Sequence, residues 1–214
     1  MPRMRRTGFI LFIIVIIGGQ DLLAQACQGT PRGRGFWVER GEMSLGNTIG
    51  GGGALGGKSF AVSASFRHQD VSDAVSGDEA TLRIGPIVRA GALQLCPVLT
   101  LNGQRQEWQV DSDVSLTTNR VAASGGLGVG VELPIIGDLS VIPHAIGQYE
   151  YAGTYFKFEG VDGDTDESGV HRGRVDLEFG LLGRFKFFYG GVRSHYAPES
   201  KRAYLTQFIA GIAL

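Results

Sequence analysis

The chain is short of several things, and each shortage narrows what it can be. Among 214 residues there are only two cysteines, Cys27 and Cys96, with 7 prolines and 2 tryptophans. Lysine and arginine together number 20 against 21 aspartates and glutamates, so there is no basic excess of the kind that binds nucleic acid. The longest unbroken apolar run, Phe9–Ile17, is too short to cross a bilayer as a helix, which takes about 20 residues. Glycine is plentiful at 34 residues, but it follows no G-X-Y period, which excludes collagen. Sparse proline and abundant apolar residues exclude wholesale disorder. After Cys27 no segment has convincing helical spacing.

The N-terminus sets the compartment. Arg3, Arg5 and Arg6 precede the apolar run, and Ala24-Gln25-Ala26 follows with small residues at alternate positions. This is the layout of a secretory signal peptide cleaved after Ala26, which makes residues 27–214 the mature domain. Residues 1–26 hold three arginines and one aspartate, so the remainder carries 17 basic and 20 acidic residues. An even cysteine count in an exported chain suits one disulfide, Cys27–Cys96. The rival reading is a lipidated Cys27, although Ala24 stands where lipoprotein signals usually have Leu.

What the mature chain has in quantity is a period of two. Val121, Ala123, Leu127, Val129, Val131 and Leu133 share one parity, and Ala122, Ser124, Gly126, Gly128, Gly130 and Glu132 share the other. Val175, Leu177, Phe179 and Leu181 likewise oppose Arg172, Arg174, Asp176 and Glu178. Strict alternation over this length means strands with one apolar and one polar face. Short connections near 56–57, 91–92, 134–138 and 184 alternate with long polar ones through 70–78, 103–117, 153–169 and 197–202. Strands of about ten residues with short turns at one end and long loops at the other predict an all-β, closed, antiparallel transmembrane β-barrel. In hydrocarbon, only a closed barrel satisfies every backbone N–H and C=O of a β-structure. The count is ten strands, at about 35–43, 46–56, 58–68, 79–91, 93–105, 118–133, 138–152, 170–183, 185–196 and 201–213. Eight strands with an N-terminal extension is the alternative.

One stretch, GGALGGKS (52–59), fits the phosphate-loop pattern G-x-x-x-x-G-K-[ST]. That loop needs a helix after it, whereas SFAVSASFRH alternates as a strand. The stretch is therefore read as a turn, and no nucleotide is expected.

Signal peptide, alternating strands, glycine-rich polar faces and the amphipathic final strand AYLTQFIAGIAL together resemble the small bacterial outer-membrane barrels of the OmpA/OmpX-like group. The chain ends in Leu214 where that group usually has an aromatic residue. The resemblance implies an integral protein of the bacterial outer membrane, surrounded by lipid and lipopolysaccharide. It also implies a barrel-assembly machinery as partner during biogenesis, a structural or surface-binding role through the extracellular loops, no enzymatic activity and no cofactor.

Polar strand faces become the lumen. On this reading Arg67, Arg83, Arg89, Arg120, Glu132, Glu150, Arg172, Arg174, Asp176, Glu178 and Arg193 point inward and neutralise one another in a cross-barrel network. A filled interior makes a plug, and a wetter one makes a narrow pore. His68, His171 and His195 fall at strand ends, where with Asp70 and Asp73 they could gather into a hydrolytic or metal site, and His144 is placed in the lumen. VDGDTDES (161–168) has the opening of a calcium loop but lacks its glycine and closing glutamate. Tyr149, Tyr151, Tyr155, Phe156, Phe187, Phe188, Tyr189, Tyr196 and Tyr204 are expected as interfacial belt residues.

Overall fold

Alternating residues that pair edge to edge without a break can bury one face only by curling the sheet on itself, and this chain does so. The computed structural model describes residues 26–30, 34–43, 46–57, 59–72, 74–90, 92–111, 114–159, 167–198 and 203–214. The strands are β1 (Gly35–Met43), β2 (Gly46–Gly56), β3 (Phe60–Ser72), β4 (Val75–Pro86), β5 (Val88–Ala90), β6 (Leu93–Asp111), β7 (Val114–Val131), β8 (Leu133–Ile136), β9 (Leu139–Glu159), β10 (Glu167–Phe185), β11 (Phe188–Tyr196) and β12 (Ala203–Ala213). A 3-10 turn, Ala26–Gln28, precedes them. Short β5 continues β4 along β6, and β8 continues β7 along β9, so twelve segments make ten staves. Each stave pairs antiparallel with the next. β12 then returns to β1, from Gly35↔Ala213 to Met43↔Leu205, and closes the barrel. Ten staves settle the count against eight.

The predicted long loops are a different object. The polar stretch 103–117 is the top of a hairpin, with β6 running to Asp111 and β7 restarting at Val114. The stretch 70–78 is mostly strand too, and 153–169 is strand up to Glu159 and again from Glu167. Such segments lose apolar–polar alternation because both faces are wet above the apolar zone. Polarity marks where a strand leaves lipid, not where its pairing ends. The barrel is consequently lopsided. β6, β7, β9 and β10 have 18–21 residues, whereas β1, β2, β11 and β12 have 9–11.

The tight turns lie at the opposite end, together with the start of β1 and the end of β12. They fall at 57–59, 91–92, Gly137-Asp138 and Lys186-Phe187, the last two residues beyond its expected place. Gly137 and Lys186 both adopt a φ of 54° there. The phosphate-loop look-alike is the β2–β3 hairpin, in which the Gly57 N–H donates to the Phe60 carbonyl at 2.8 Å. Its Lys58 lies outside the described residues.

No helix among the described residues is long and apolar enough to cross a membrane. The strands present the apolar surface instead. Val38, Phe66, Leu99, Val121, Leu127, Phe179 and Phe208 all point outward and are 45–66% exposed. Polar outward residues begin higher up, at Arg40, Asn47, His68, Asp78, Arg105 and Asn119. An apolar band capped by a polar ring is the exterior of a barrel that sits in lipid.

Candidate functional site

The lumen has two storeys. The lower one, at the tight-turn end, is apolar and closed. Trp37, Ala54, Ile142, Leu182, Tyr189 and Ile209 form one buried cluster with Ala26, and Ala61, Ile87, Val98 and Ile146 form another with the two cysteines. Into this layer folds the N-terminal segment Ala26–Thr30, every residue of it buried. Cys27 is disulfide-bonded to Cys96 on the inward face of β6. A cysteine bonded inside the barrel is not a lipid anchor, so the lipoprotein reading fails. The Ala26 N–H donates to Gln94 Oε1 at 3.1 Å, and Arg193 Nη2 donates to the Gly29 carbonyl at 3.2 Å.

Two glycine features make room for the segment. Cβ atoms at Gly128 and Gly130 of β7 would lie 2.2 and 2.3 Å from the carbonyl oxygens of Cys27 and Ala26. The glycine face of β7 is thus a notch for a second backbone. Gly29 turns the segment with a φ of +65°, and a Cβ there would meet the His144 ring at 2.3 Å. That combination admits glycine and little else.

Above this layer a charged bridge crosses the barrel. Glu178 of β10 accepts from Arg83 of β4 at 2.7 Å, with Arg193 Nε at 3.1 Å and His144 Nε2 at 3.4 Å. Glu178 is 1% exposed, so it has little to interact with besides these side chains. Higher still, Glu150 takes Arg120 and Arg174, the latter at 2.8 Å. Asp176 accepts from the Tyr204 hydroxyl at 2.6 Å and from Gln148 Nε2 at 3.2 Å, with His195 Nδ1 at 3.8 Å. On the opposite wall Glu39 and Glu79 share Arg67, at 3.1 and 3.3 Å, and Glu79 also accepts from Asn102 and Gln69. At the lower rim Glu132 pairs with Arg184 at 2.9 Å.

The expected network is therefore largely assembled, with two exceptions. Arg172 has the inward parity of Arg174 but stands a pair of residues higher on β10, where it is exposed. Arg89 lies at the lower end, half-buried, with buried Nε and Nη2 that have no hydrogen-bond partner among the described residues. Glu39, Glu79, Arg184 and Tyr204 belong to the network and were not foreseen in it. Glu79 shares the odd parity of Arg83, which could have revealed it. Glu39 sits in a stretch with weak alternation.

The histidines do not converge. His68 points outward at the rim and contacts Asp78 at 2.8 Å and Asp70 at 3.2 Å. The hydrogen bond that Asp78 accepts from it raises its pKa above the ordinary histidine value. His171 stacks on Tyr151, with ring centroids 6.0 Å apart. His195 faces the lumen. Asp73 and residues 160–166, which hold most of the calcium-like stretch, lie outside the described residues. Among the described residues no group of three or more His, Cys, Asp or Glu is placed to hold a metal. Of the expected belt aromatics, Tyr149, Tyr151, Tyr155, Phe187 and Phe188 are outward and exposed, whereas Tyr189 is buried in the lower layer and Tyr204 turns in to Asp176.

The upper storey encloses a cavity of about 480 Å³. Gln28 and Thr30 of the N-terminal segment line it below, amides and ion pairs (Gln69, Asn102, Gln104, Glu150, Arg174) line its walls, and Met43, Val75 and Trp108 line it at the tall end. A second hollow of about 200 Å³ lies at the lower rim beside Glu132, Ser140 and Arg184. The two share no lining residue.

No family model matches this chain, and no curated protein sequence does. Solved structures similar in fold include the translocator domain of the autotransporter NalP from Neisseria meningitidis, at 13% identity and a TM-score of 0.46, covering 84% of this chain and 85% of that one. The beta domain of the Bordetella autotransporter Brka matches at 16% identity and 0.42, over 84% and 96%. The KdgM porin matches at 9% identity and 0.39, over 84% and 99%.

Proposed function

We propose that this chain is an integral protein of the bacterial outer membrane, exported by residues 1–26, that presents a blind polar vestibule to the outside of the cell. The observation that carries this reading is the two-storey lumen. A polar cavity of about 480 Å³ rests on a layer closed by Cys27–Thr30. The orientation follows from topology: barrels of this class keep tight turns and chain termini in the periplasm and extend their tall hairpins outward. Lipid and lipopolysaccharide surround the apolar band, and barrel-assembly machinery inserts the chain. The sequence likeness to OmpA/OmpX-like barrels belongs to this proposal.

The vestibule is built for a small polar solute carrying no net charge. Its arginines are already paired with carboxylates, and its free hydrogen-bonding capacity lies in amides and hydroxyls. A structural or surface-binding role for the tall hairpins is part of the same reading, and no catalytic role is assigned.

Two measurements test it. Purified outer-membrane fractions run with and without boiling should show a heat-modifiable band, because a closed barrel resists SDS until heated. The same protein in planar bilayers should show no conductance above baseline. A chain absent from that fraction, or one with no heat shift, overturns the membrane assignment. Steady conductance of the unmodified protein overturns the blind vestibule and favours an open narrow channel.

A further inference from the structure

Accepting the barrel-in-membrane reading, we infer that this protein is a latent channel whose closure belongs to its own N-terminal segment, not to its wall. The segment Cys27–Thr30, where the chain starts once residues 1–26 are removed, is a stopper. With it displaced, the barrel conducts water and small solutes along the glycine face of β7.

Three observations carry the inference. First, the stopper floors the upper cavity. The upper cavity is lined below by Gln28 and Thr30, the lower hollow opens beside Glu132 and Arg184, and no residue lines both. Second, the wall behind the stopper is nearly bare of side chains. Gly126, Gly128 and Gly130 face inward in succession, and the Cys27 carbonyl sits against Gly128. Withdrawing the segment leaves a groove about as wide as a polypeptide backbone, because the wall bears no Cβ there to fill it. A wall evolved to be closed by its own side chains would place large residues at these positions. Third, the stopper is seated with some of its polar groups unsatisfied. Both amide atoms of fully buried Gln28 lack a hydrogen-bond partner among the described residues. Water entering the groove would supply those bonds, so hydration favours the displaced state.

Among the described residues the Cys27–Cys96 bond holds the stopper, together with a hydrogen bond from Arg193 to the Gly29 carbonyl. The bond is a latch: it restricts the segment to the notch without contributing to barrel pairing. The opened passage would show a slight preference for anions, because the nearest charges, Arg83 and Arg193 against the single Glu178, leave one positive charge beside it.

The test is single-channel recording in planar bilayers on the full mature chain and two variants. Cys96→Ser removes the latch. Gly29→Val keeps the latch and drives a side chain into the His144 ring, so the stopper cannot seat. Each preparation is first checked for a heat-modifiable band, which reports the barrel independently of conductance. The unmodified protein is expected to be silent, Cys96→Ser to flicker between closed and open levels, and Gly29→Val to stay open for most of the record with a slight preference for chloride over potassium. Heat-modifiable variants that both remain silent overturn the latent channel while leaving the blind vestibule standing. Equal conductance in all three overturns both readings of the lumen. Loss of the heat shift in the unmodified chain removes the barrel itself and this inference with it.

Discussion

Below the Arg83–Glu178 bridge the lumen is held by packing, and above it by charge. The lower layer contains Ile142 and Leu182 at 0% exposure, against a backbone segment fitted into glycine. The upper layer contains carboxylates shared among arginines, amides and a tyrosine around open space. One barrel wall serves both. The difference lies in what the inward parity carries at each height, and it teaches that a narrow barrel can be sealed at one end and hydrated at the other without any change in strand topology.

The comparison can be broken most forcefully at its boundary. Glu178→Gln removes the one carboxylate that Arg83 and Arg193 share, leaving two buried guanidinium groups uncompensated. The expected loss is about 3–5 kcal/mol in urea unfolding from lipid vesicles, followed by tryptophan fluorescence. A loss below about 1 kcal/mol would mean that water already reaches this layer and that the two storeys are not distinct. Leu182→Ala tests the lower storey by packing alone and should cost about 2–4 kcal/mol with no dependence on added salt. A salt-dependent effect would contradict the assignment of that layer to packing. Tyr204→Phe deletes one hydrogen bond to Asp176 in the upper storey, and about 1 kcal/mol is expected. Arg172→Gln lies above the network and should change stability by less than about 0.5 kcal/mol. A larger effect would bring Arg172 back among the luminal charges.

The smallest effect concerns pH at the outer rim. The pKa of His68 is raised in the folded state, chiefly by its hydrogen bond to Asp78. Its stabilising contribution is therefore complete below the unfolded value of about 6.5 and is lost as pH rises through the higher folded value. The side chain is 43% exposed, so the effect is slight. Unfolding midpoints of the unmodified protein and His68→Asn should differ at pH 5.5 and coincide at pH 8.5. A difference that persists at the higher pH would assign the contact to something other than protonation.

The barrel was legible because alternation is a local property, and in segments such as 121–133 and 172–181 it is strict enough to fix both the strand and its inward face. Height was not legible. Parity shows that Arg172 and Arg174 face the same way, but not that only the second is low enough to meet Glu150. The tall hairpins were read as loops because strand periodicity fades once both faces are wet. The stopper left the faintest trace. CQGT has no pattern of its own, and the parity of the inward glycines at 126, 128 and 130 does not show that they are a berth for another stretch of the same chain. Cys27 was the one visible hint, since a bridge to Cys96 on an inward-facing position draws the N-terminus into the lumen.

The place of that bridge also sets an order of events. Both sulfurs belong to residues with 0% exposure, enclosed by ten staves that are joined by the seam between the first strand and the last. An oxidant or reductant can reach them only before the seam closes or while the stopper is out of its notch. A seated stopper therefore shelters its own latch, and the bond, once made, is kept from the thiol chemistry around the protein.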